Sequence, residues 1–162
     1  MKPFRRSGGA LVGRLEAAEV AILGMLVDQL EQLLSADAGD PVVDRLFPAG
    51  HATDAAIAAD YRDLTGSALR EGKAEDLATV RATLPAEGGQ VRLDDDQARA
   101  WLRTTNDLRL ALGTRLGITA ETGSDVDPTG EAGQQMSVYH WLTAVQGSLV
   151  GAISSAGGRR RW

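Results

Sequence analysis

The sequence feature that most constrains the fold is residues 94–117, a helix with clear signals at both ends. Asp94 suits the N-cap position because its short carboxylate can accept from exposed first-turn amides, and Gln97 completes a capping-box pattern. Gly117 suits the C′ position after the last turn. Apolar residues between these signals recur at three- and four-residue steps, which places them on one face. They are Ala98, Trp101, Leu102, Leu108, Leu112 and Leu116, with Thr105 on the same face. The pattern predicts a central helix that the rest of the chain covers.

Two charged residues fall on apolar helical faces and predict an interaction. Arg109 projects between Leu102 and Leu116 on the central helix. Residues 15–35 form a second predicted helix, and Glu19 lies at the centre of its apolar stripe. An unpaired buried charge costs several kcal/mol, so we expect Glu19 and Arg109 to form an ion pair. A structural pair that fixes helix register is the favoured interpretation, and a polar site in a pocket is the alternative.

Other charges of the central helix lie away from its apolar face. Asp95, Arg99, Arg103 and Asp107 are spaced four residues apart. This spacing is typical of a solvated helical face with weak pairs of about 0.3–0.5 kcal/mol each.

The middle of the chain predicts shorter helices with glycine interruptions. Asp40 and Pro41 are typical of a helix start and predict a short helix over 40–46, and His51 lies in the loop after it. Thr53 caps the next helix, which we expect to break around residues 66–73 at Gly66 and Gly72 before a further helix over 74–84.

The C-terminal third predicts a loop and a last helix. Residues 119–135 are rich in Gly, Asp, Thr, Pro and Glu and are expected to form a mobile loop. A helix follows over 137–155, with His140, Gly147 and Gly151 opposite its apolar face. Glycines there permit close backbone approach and could form a homodimer contact, although tolerance of exposed glycine is the commoner explanation.

These elements together predict a mainly α fold. Residues 4–6 and 10–12 flank a Ser-Gly-Gly turn as a hairpin, with a further strand over 90–93 beside it. We expect four to five helices around the central helix and a small antiparallel sheet. The predicted domains are a β-hairpin and basic arm over 1–14, a helical domain over 15–155, and a basic, disordered tail over 156–162.

The charge is distributed unevenly along the chain. Residues 15–158 hold all 22 acidic and ten of the 17 basic residues, a balance of −12, whereas the whole chain carries −5. An acidic body argues against a broad nucleic-acid surface, so DNA binding is expected to be indirect. The terminal Arg159, Arg160 and Arg161 are expected to be solvated, with contact to an acidic partner as the alternative. No stretch approaches a membrane span or a signal-peptide core, which favours a cytoplasmic protein.

The sequence contains no pattern that indicates catalysis. There is no cysteine, which removes thiol redox chemistry and thiolate metal ligands, and His51 and His140 lie far apart in sequence. Residues 94–96 form an acidic run that is better explained by helix-start chemistry than by a cation site. No nucleophile elbow or phosphate-binding glycine motif is present. We therefore predict a non-enzymatic protein without cofactor or metal.

Four segments, in order, resemble one actinobacterial family across roughly residues 16–150. They are DPVVDRLFP at 40–48, YRDLTGSALREGK at 61–73, NDLRLALGTRLG at 106–117 and YHWLTAVQGSLV at 139–150. The family was catalogued as a domain of unknown function and is described as oxidative-stress regulators. Its genes often neighbour those of the Clp protease adaptor and of a sulfur-carrier-dependent cysteine biosynthesis cluster.

The resemblance implies a cytoplasmic regulator that acts through protein contacts with a sigma factor or RNA polymerase. In the redox-sensing form of that role a cysteine pair forms an intramolecular disulfide. This chain has no cysteine, so no redox residues carry over. Either it has kept the partner contact without the sensor, or the role differs within the family. A structural or adaptor module linked to the Clp neighbourhood, or a homodimer, is the alternative.

Overall fold

The described residues form a small β-sheet and long α-helices. The computed structural model describes residues 1–34, 55–116 and 130–158, with side chains over 1–34, 69–114, 130 and 133–155. In chain order the elements are β1 (Lys2–Ser7), β2 (Ala10–Leu15), α1 (Ala17–Leu34), α2 (Ala55–Thr83), β3 (Gly89–Leu93), α3 (Asp95–Leu116) and α4 (Glu131–Gly158). Four helices and one three-stranded sheet in these ranges confirm the predicted mainly α fold.

The sheet is antiparallel throughout, with strand order β1-β2-β3. Gly8 occupies the left-handed region at φ 64° in the turn between β1 and β2, which glycine adopts without steric cost. The chain returns to β3 through Gly88 and Gly89, at φ 84° and 140°. Both the predicted hairpin and the predicted third strand are therefore confirmed.

Helix α3 begins as its sequence predicts. The Gln97 amide donates to Asp94 Oδ1 at 2.7 Å, and the Asp94 amide donates to Gln97 Oε1 at 3.0 Å. This is a reciprocal capping box, which satisfies two of the amides that a helix start leaves free.

Trp101 is the largest fully buried side chain and connects α3 to two neighbours. Its ring meets Phe4 of β1 edge-on, with centroids 5.7 Å apart. Its indole Nε1 donates to Thr83 Oγ1, at the end of α2, at 2.7 Å. The core therefore forms where the inner face of the sheet, α1, α2 and α3 meet, and α4 completes it by packing on α3 and β1.

Three predicted boundaries are wrong. Helix α2 is continuous from 55 to 83, with Gly72 inside it and no break over 66–73. A helical glycine costs only about 1 kcal/mol, which the packing of Leu77 and Val80 offsets. Helix α4 begins at Glu131, inside the predicted loop, and extends to Gly158, inside the predicted tail.

Several predictions fall outside the described residues. They concern the helix over 40–46, His51, the remainder of the loop over 119–129, and the arginines at 159–161. Within the described ranges, no helix is both long enough and apolar enough to cross a lipid bilayer.

Candidate functional site

Glu19 and Arg109 do not pair with each other. Glu19 Oε1 accepts from the Glu16 amide at 2.8 Å and lies 3.1 Å from the α-amino nitrogen of Met1. This carboxylate therefore caps the start of α1 by reaching back to the residue before the helix. The buried face of α1 is centred on Val20, Leu23, Val27 and Leu30, and Ala18 is exposed. The prediction that Glu19 lies at the centre of the apolar face is therefore wrong. A Glu three residues after the N-cap position, Glu16, was the signal that would have placed Glu19 correctly.

Arg109 lies between α3 and α4 and is bonded to neutral groups. Its guanidinium donates to Gln146 Oε1 and, at 3.4 Å, to the Tyr139 hydroxyl. The guanidinium carbon lies 5.3 Å from the Tyr139 ring centroid, which adds a cation–π contact. Gln146 in turn donates to Asn106 Oδ1 at 3.4 Å. The sequence predicted that Arg109 needs a partner, but Gln146 and Tyr139 carry no charge that would have identified them.

Gly113 makes room for this arrangement. A Cβ atom on Gly113 would lie 3.3 Å from Cε2 of Tyr139. This is a tight contact, so glycine lets the Tyr139 ring lie against the backbone of α3, one helical turn beyond Arg109.

The opposite side of α3 faces α2 through charged pairs. Lys73 Nζ lies 2.7 Å from Asp107 Oδ2, and Arg103 binds both oxygens of Asp76, at 2.8 and 2.9 Å. Asp107 is only 8% exposed, so the prediction of a solvated face is wrong for this residue. The cause is α2, which runs unbroken and covers this part of α3.

The surroundings of Asp107 change the pKa of its carboxyl group. Burial raises the pKa of Asp107 above its ordinary value of 3.8, and the hydrogen bond from Lys73 opposes that shift. The hydrogen bond to Asp76 raises the pKa of Arg103. A cleft of about 600 Å³ is lined by Lys73, Asp76, Arg103 and Asp107 among others. Because these carboxylates are bonded to cations, the cleft is best explained as a structural contact.

The outer face of α4 has different chemistry, because α4 carries no charged residue after Glu131. His140, Gly147 and Gly151 are all exposed, as predicted, and Val150 is 45% exposed on the same side. A Cβ atom on either glycine would meet nothing within 4 Å. The His140 ring contacts the edge of Tyr139, with centroids 5.8 Å apart. Charge depletion characterises the centres of protein interfaces, so this face suits contact with another protein.

No metal-binding arrangement of three His, Cys, Asp or Glu side chains occurs in residues 1–34, 55–116 and 130–158. His140 is the one histidine in those ranges and lies at the surface. The predicted site residues therefore divide into a structural set, Glu19 and Arg109, and an exposed set on α4.

Comparison with known proteins gives a family match over nearly the whole chain. The model of a family described as a domain of unknown function, DUF2017, matches residues 1–153. The "Putative oxidative stress regulator AosR" of Mycobacterium leprae is 32% identical over 164 residues, covering 90% of this chain and 74% of the relative.

Two further relatives are named oxidative stress regulator AosR, from Mycobacterium bovis and Mycobacterium tuberculosis. Each is 29% identical over 163 residues, covering 91% of this chain and 75% of the relative. No solved structure matches the chain significantly.

Proposed function

This chain belongs to the DUF2017 family, and from that membership we propose that it is a non-enzymatic cytoplasmic regulator of the oxidative-stress response. The observation that supports this most directly is the similarity to relatives named as oxidative stress regulators, which extends over 90% of the chain.

The proposed regulator acts through protein contacts, with a sigma factor or RNA polymerase as the partner. The uncharged outer face of α4, with His140, Gly147 and Gly151, is the proposed contact surface. It supports the proposal because a neutral, partly apolar surface can be desolvated at low cost when a partner binds. Contact with promoter DNA is then indirect, through that partner.

The response to oxidants cannot use a thiol switch within these residues, because they contain no cysteine. The partner contact is therefore proposed to form with or without oxidant. Met25, which is 52% exposed on α1, offers a weaker oxidation target.

Affinity purification of the tagged protein from its native host, with and without oxidant, tests this proposal. We expect a sigma factor or polymerase subunits in both samples, identified by mass spectrometry. Recovery of transcription components only after oxidation would contradict the proposal that the partner contact forms without an oxidation switch. Recovery of none in either sample would contradict the transcriptional role.

A homodimer or adaptor built on the same face of α4 is the second candidate, favoured by the open space above Gly147 and Gly151. The double variant Gly147→Gln and Gly151→Gln fills that space with side chains. Gly72→Gln on α2 is the matched control, since Gly72 is also an exposed helical glycine with no atom near an added Cβ. Light scattering should show a dimer for the wild type and control and a monomer for the double variant. A monomeric wild type that does not bind the Clp adaptor would exclude this candidate.

A further inference from the structure

The outer face of the sheet concentrates positive charge. Arg5, Val12 and Arg92 are directly opposite one another across the three strands. Lys2, Arg14 and Gln90 form the next row. Residues paired in this way share one face of a sheet, so four cations surround Val12 on the same side. The inner face instead carries Phe4, Leu11, Leu15, Val91 and Leu93, all buried.

An irregularity in β1 helps to create this cluster. Lys2 pairs with Arg14 and Arg5 pairs with Val12, so three residues of β1 span the length of two in β2. An extra residue of this kind is a β-bulge, which changes the side on which later side chains lie. Without the bulge, Lys2 and Arg5 would point to opposite faces. With it, both lie on the outer face.

The four cations are exposed, and none has an ion pair or hydrogen bond in the described structure. Arg6, on the inner side of the sheet, differs from these four cations because it has bonded partners. Its guanidinium binds Asp95 at 2.7 Å and donates through Nε to the Ala152 carbonyl at 3.3 Å. Like charges directly opposite on neighbouring strands, as at Lys2 and Arg14, destabilise a sheet. The chain has 22 acidic residues, yet within the described structure none of them pairs with these four cations.

We propose that this outer face, defined by Lys2, Arg5, Arg14 and Arg92 around Val12, binds an acidic segment of a partner protein. Arginine side chains bind carboxylates through two parallel hydrogen bonds, and Val12 supplies an apolar contact between them. This surface is distinct from the outer face of α4, and the inference goes beyond the proposed function, because it holds whichever protein supplies the segment.

Charge and chemistry favour a protein segment over nucleic acid. The exposed strand residues include no aromatic side chain on which a base could stack, because Phe4 is buried. The patch spans three strands, about 10 Å at the usual strand spacing, and is too small to follow a duplex backbone. The balance of −12 over residues 15–158 also repels a polyanion as large as DNA. A short acidic segment needs only the patch itself.

The Lys2–Arg14 end of the patch is partly balanced by neighbouring acids. Lys2 and Arg14 line a cleft of about 450 Å³ together with Glu16 and Glu87. The row of Arg5, Val12 and Arg92 has no acidic residue paired with it in the sheet. This row should therefore contribute most to binding, and it is the row to mutate.

The test measures binding of the full chain to a fluorescently labelled peptide composed of Glu and Ala. A duplex DNA oligonucleotide of the same net charge serves as the competing probe. The test variant is Arg5→Glu with Arg92→Glu. Its matched control is Arg81→Glu with Arg99→Glu, which changes the net charge equally at two exposed helical arginines. Circular dichroism checks that each variant is folded. If one is not, Arg5→Gln with Arg92→Gln is compared with Arg81→Gln and Arg99→Gln instead.

We expect peptide binding that weakens as salt increases and that falls about tenfold in the sheet variant, while the control stays within about twofold of wild type. Equal losses in both variants would overturn the proposal, because net charge alone would then explain binding. Absence of peptide binding at low salt would also overturn it. Tighter binding of DNA than of the peptide would assign the face to nucleic acid. A salt-sensitive dimer that only the sheet variant abolishes would assign it to a second copy of the chain.

Discussion

The two long sides of α3 are joined to their neighbours by different chemistry. Towards α2 the contact includes two charged pairs, Lys73 with Asp107 and Arg103 with Asp76. Towards α4, Arg109 contacts only neutral partners within the described residues, including Gln146 and Tyr139. Asp107 and Arg109 are two residues apart and both at least half-buried, yet among the described residues only Asp107 has a partner of opposite charge.

This difference has a physical consequence for each contact. A buried cation–carboxylate pair is costly to break, because removing one partner leaves the other charge desolvated. An arginine bonded to an amide and a phenol can be replaced by a neutral residue without leaving an unpaired charge on its partners. We therefore expect the α2 side to be sensitive to single substitutions and to pH, and the α4 side to be sensitive to shape.

Trp101 is the largest fully buried side chain and joins α3 to α2 and β1, so its removal should have the largest effect. We expect Trp101→Ala to lower the free energy of unfolding by about 3–5 kcal/mol, since it leaves a cavity against Phe4 and removes the bond to Thr83. Urea denaturation measures this loss. Trp101→Phe is the control that keeps an aromatic ring, and it should cost clearly less. Equal losses would show that the hydrogen bond to Thr83 outweighs the cavity.

Asp107→Ala breaks the charged contact and should cost about 1.5–3 kcal/mol, the range for hydrogen bonds to charged groups. The 2.7 Å contact between Lys73 Nζ and Asp107 Oδ2 is then lost, although the Lys73 side chain is only 18% exposed. Asp107→Asn keeps an acceptor oxygen and should cost less than Asp107→Ala. If neither substitution changes the urea midpoint, the contact between α2 and α3 does not depend on this pair.

The pH dependence of the same pair gives a second prediction. Because burial raises the pKa of Asp107, the folded protein binds more protons than the unfolded chain just above pH 3.8. The raised pKa stabilises the folded protein fully at pH values below the pKa of Asp107 in the unfolded chain. This stabilisation is lost as the pH rises through the pKa of Asp107 in the folded protein. The stability advantage of wild type over Asp107→Asn should therefore shrink as the pH rises through that window. Thermal melts of both proteins at several pH values measure it, and a growing advantage would reverse the assigned direction.

Sequence patterns predicted helices, caps and strands where the cause is local. The capping box of Asp94 and Gln97 and the hairpin around Gly8 depend on residues within a few positions. The partners of Arg109 could not be predicted in this way, because they lie 30 and 37 residues away on another helix.

Charge periodicity also misled at Asp107. Its four-residue spacing from Arg103 is typical of a solvated face, but the packing of α2 decides its burial. Lys2, Arg5 and Arg14 were visible as part of a basic segment over 1–14. The face that they share with Arg92 depends on strand register and on the bulge in β1.

Gly113 tests the dependence of the α4 side on shape. We expect Gly113→Val to cost about 1–3 kcal/mol, because its branched side chain would enter the space of the Tyr139 ring. Gly72→Val is the matched control on an exposed helical position, and it should change stability by no more than a few tenths of a kcal/mol. Thermal unfolding compares the two. Equal effects would mean that the ring moves aside freely and that the contact is loosely packed.

Arg109→Met should have the smallest effect of these substitutions, a change within about 1 kcal/mol. Methionine keeps most of the apolar stem that packs between α3 and α4, and it removes a cation whose Nε is buried without a partner in the described structure. Gln146 retains its bond to Asn106. Arg109→Ala is the comparison variant: it loses the stem as well and should cost more. Urea denaturation of both variants separates packing from charge. If Arg109→Met costs as much as Asp107→Ala, the guanidinium is stabilised as a charge, and the two sides of α3 do not differ as proposed.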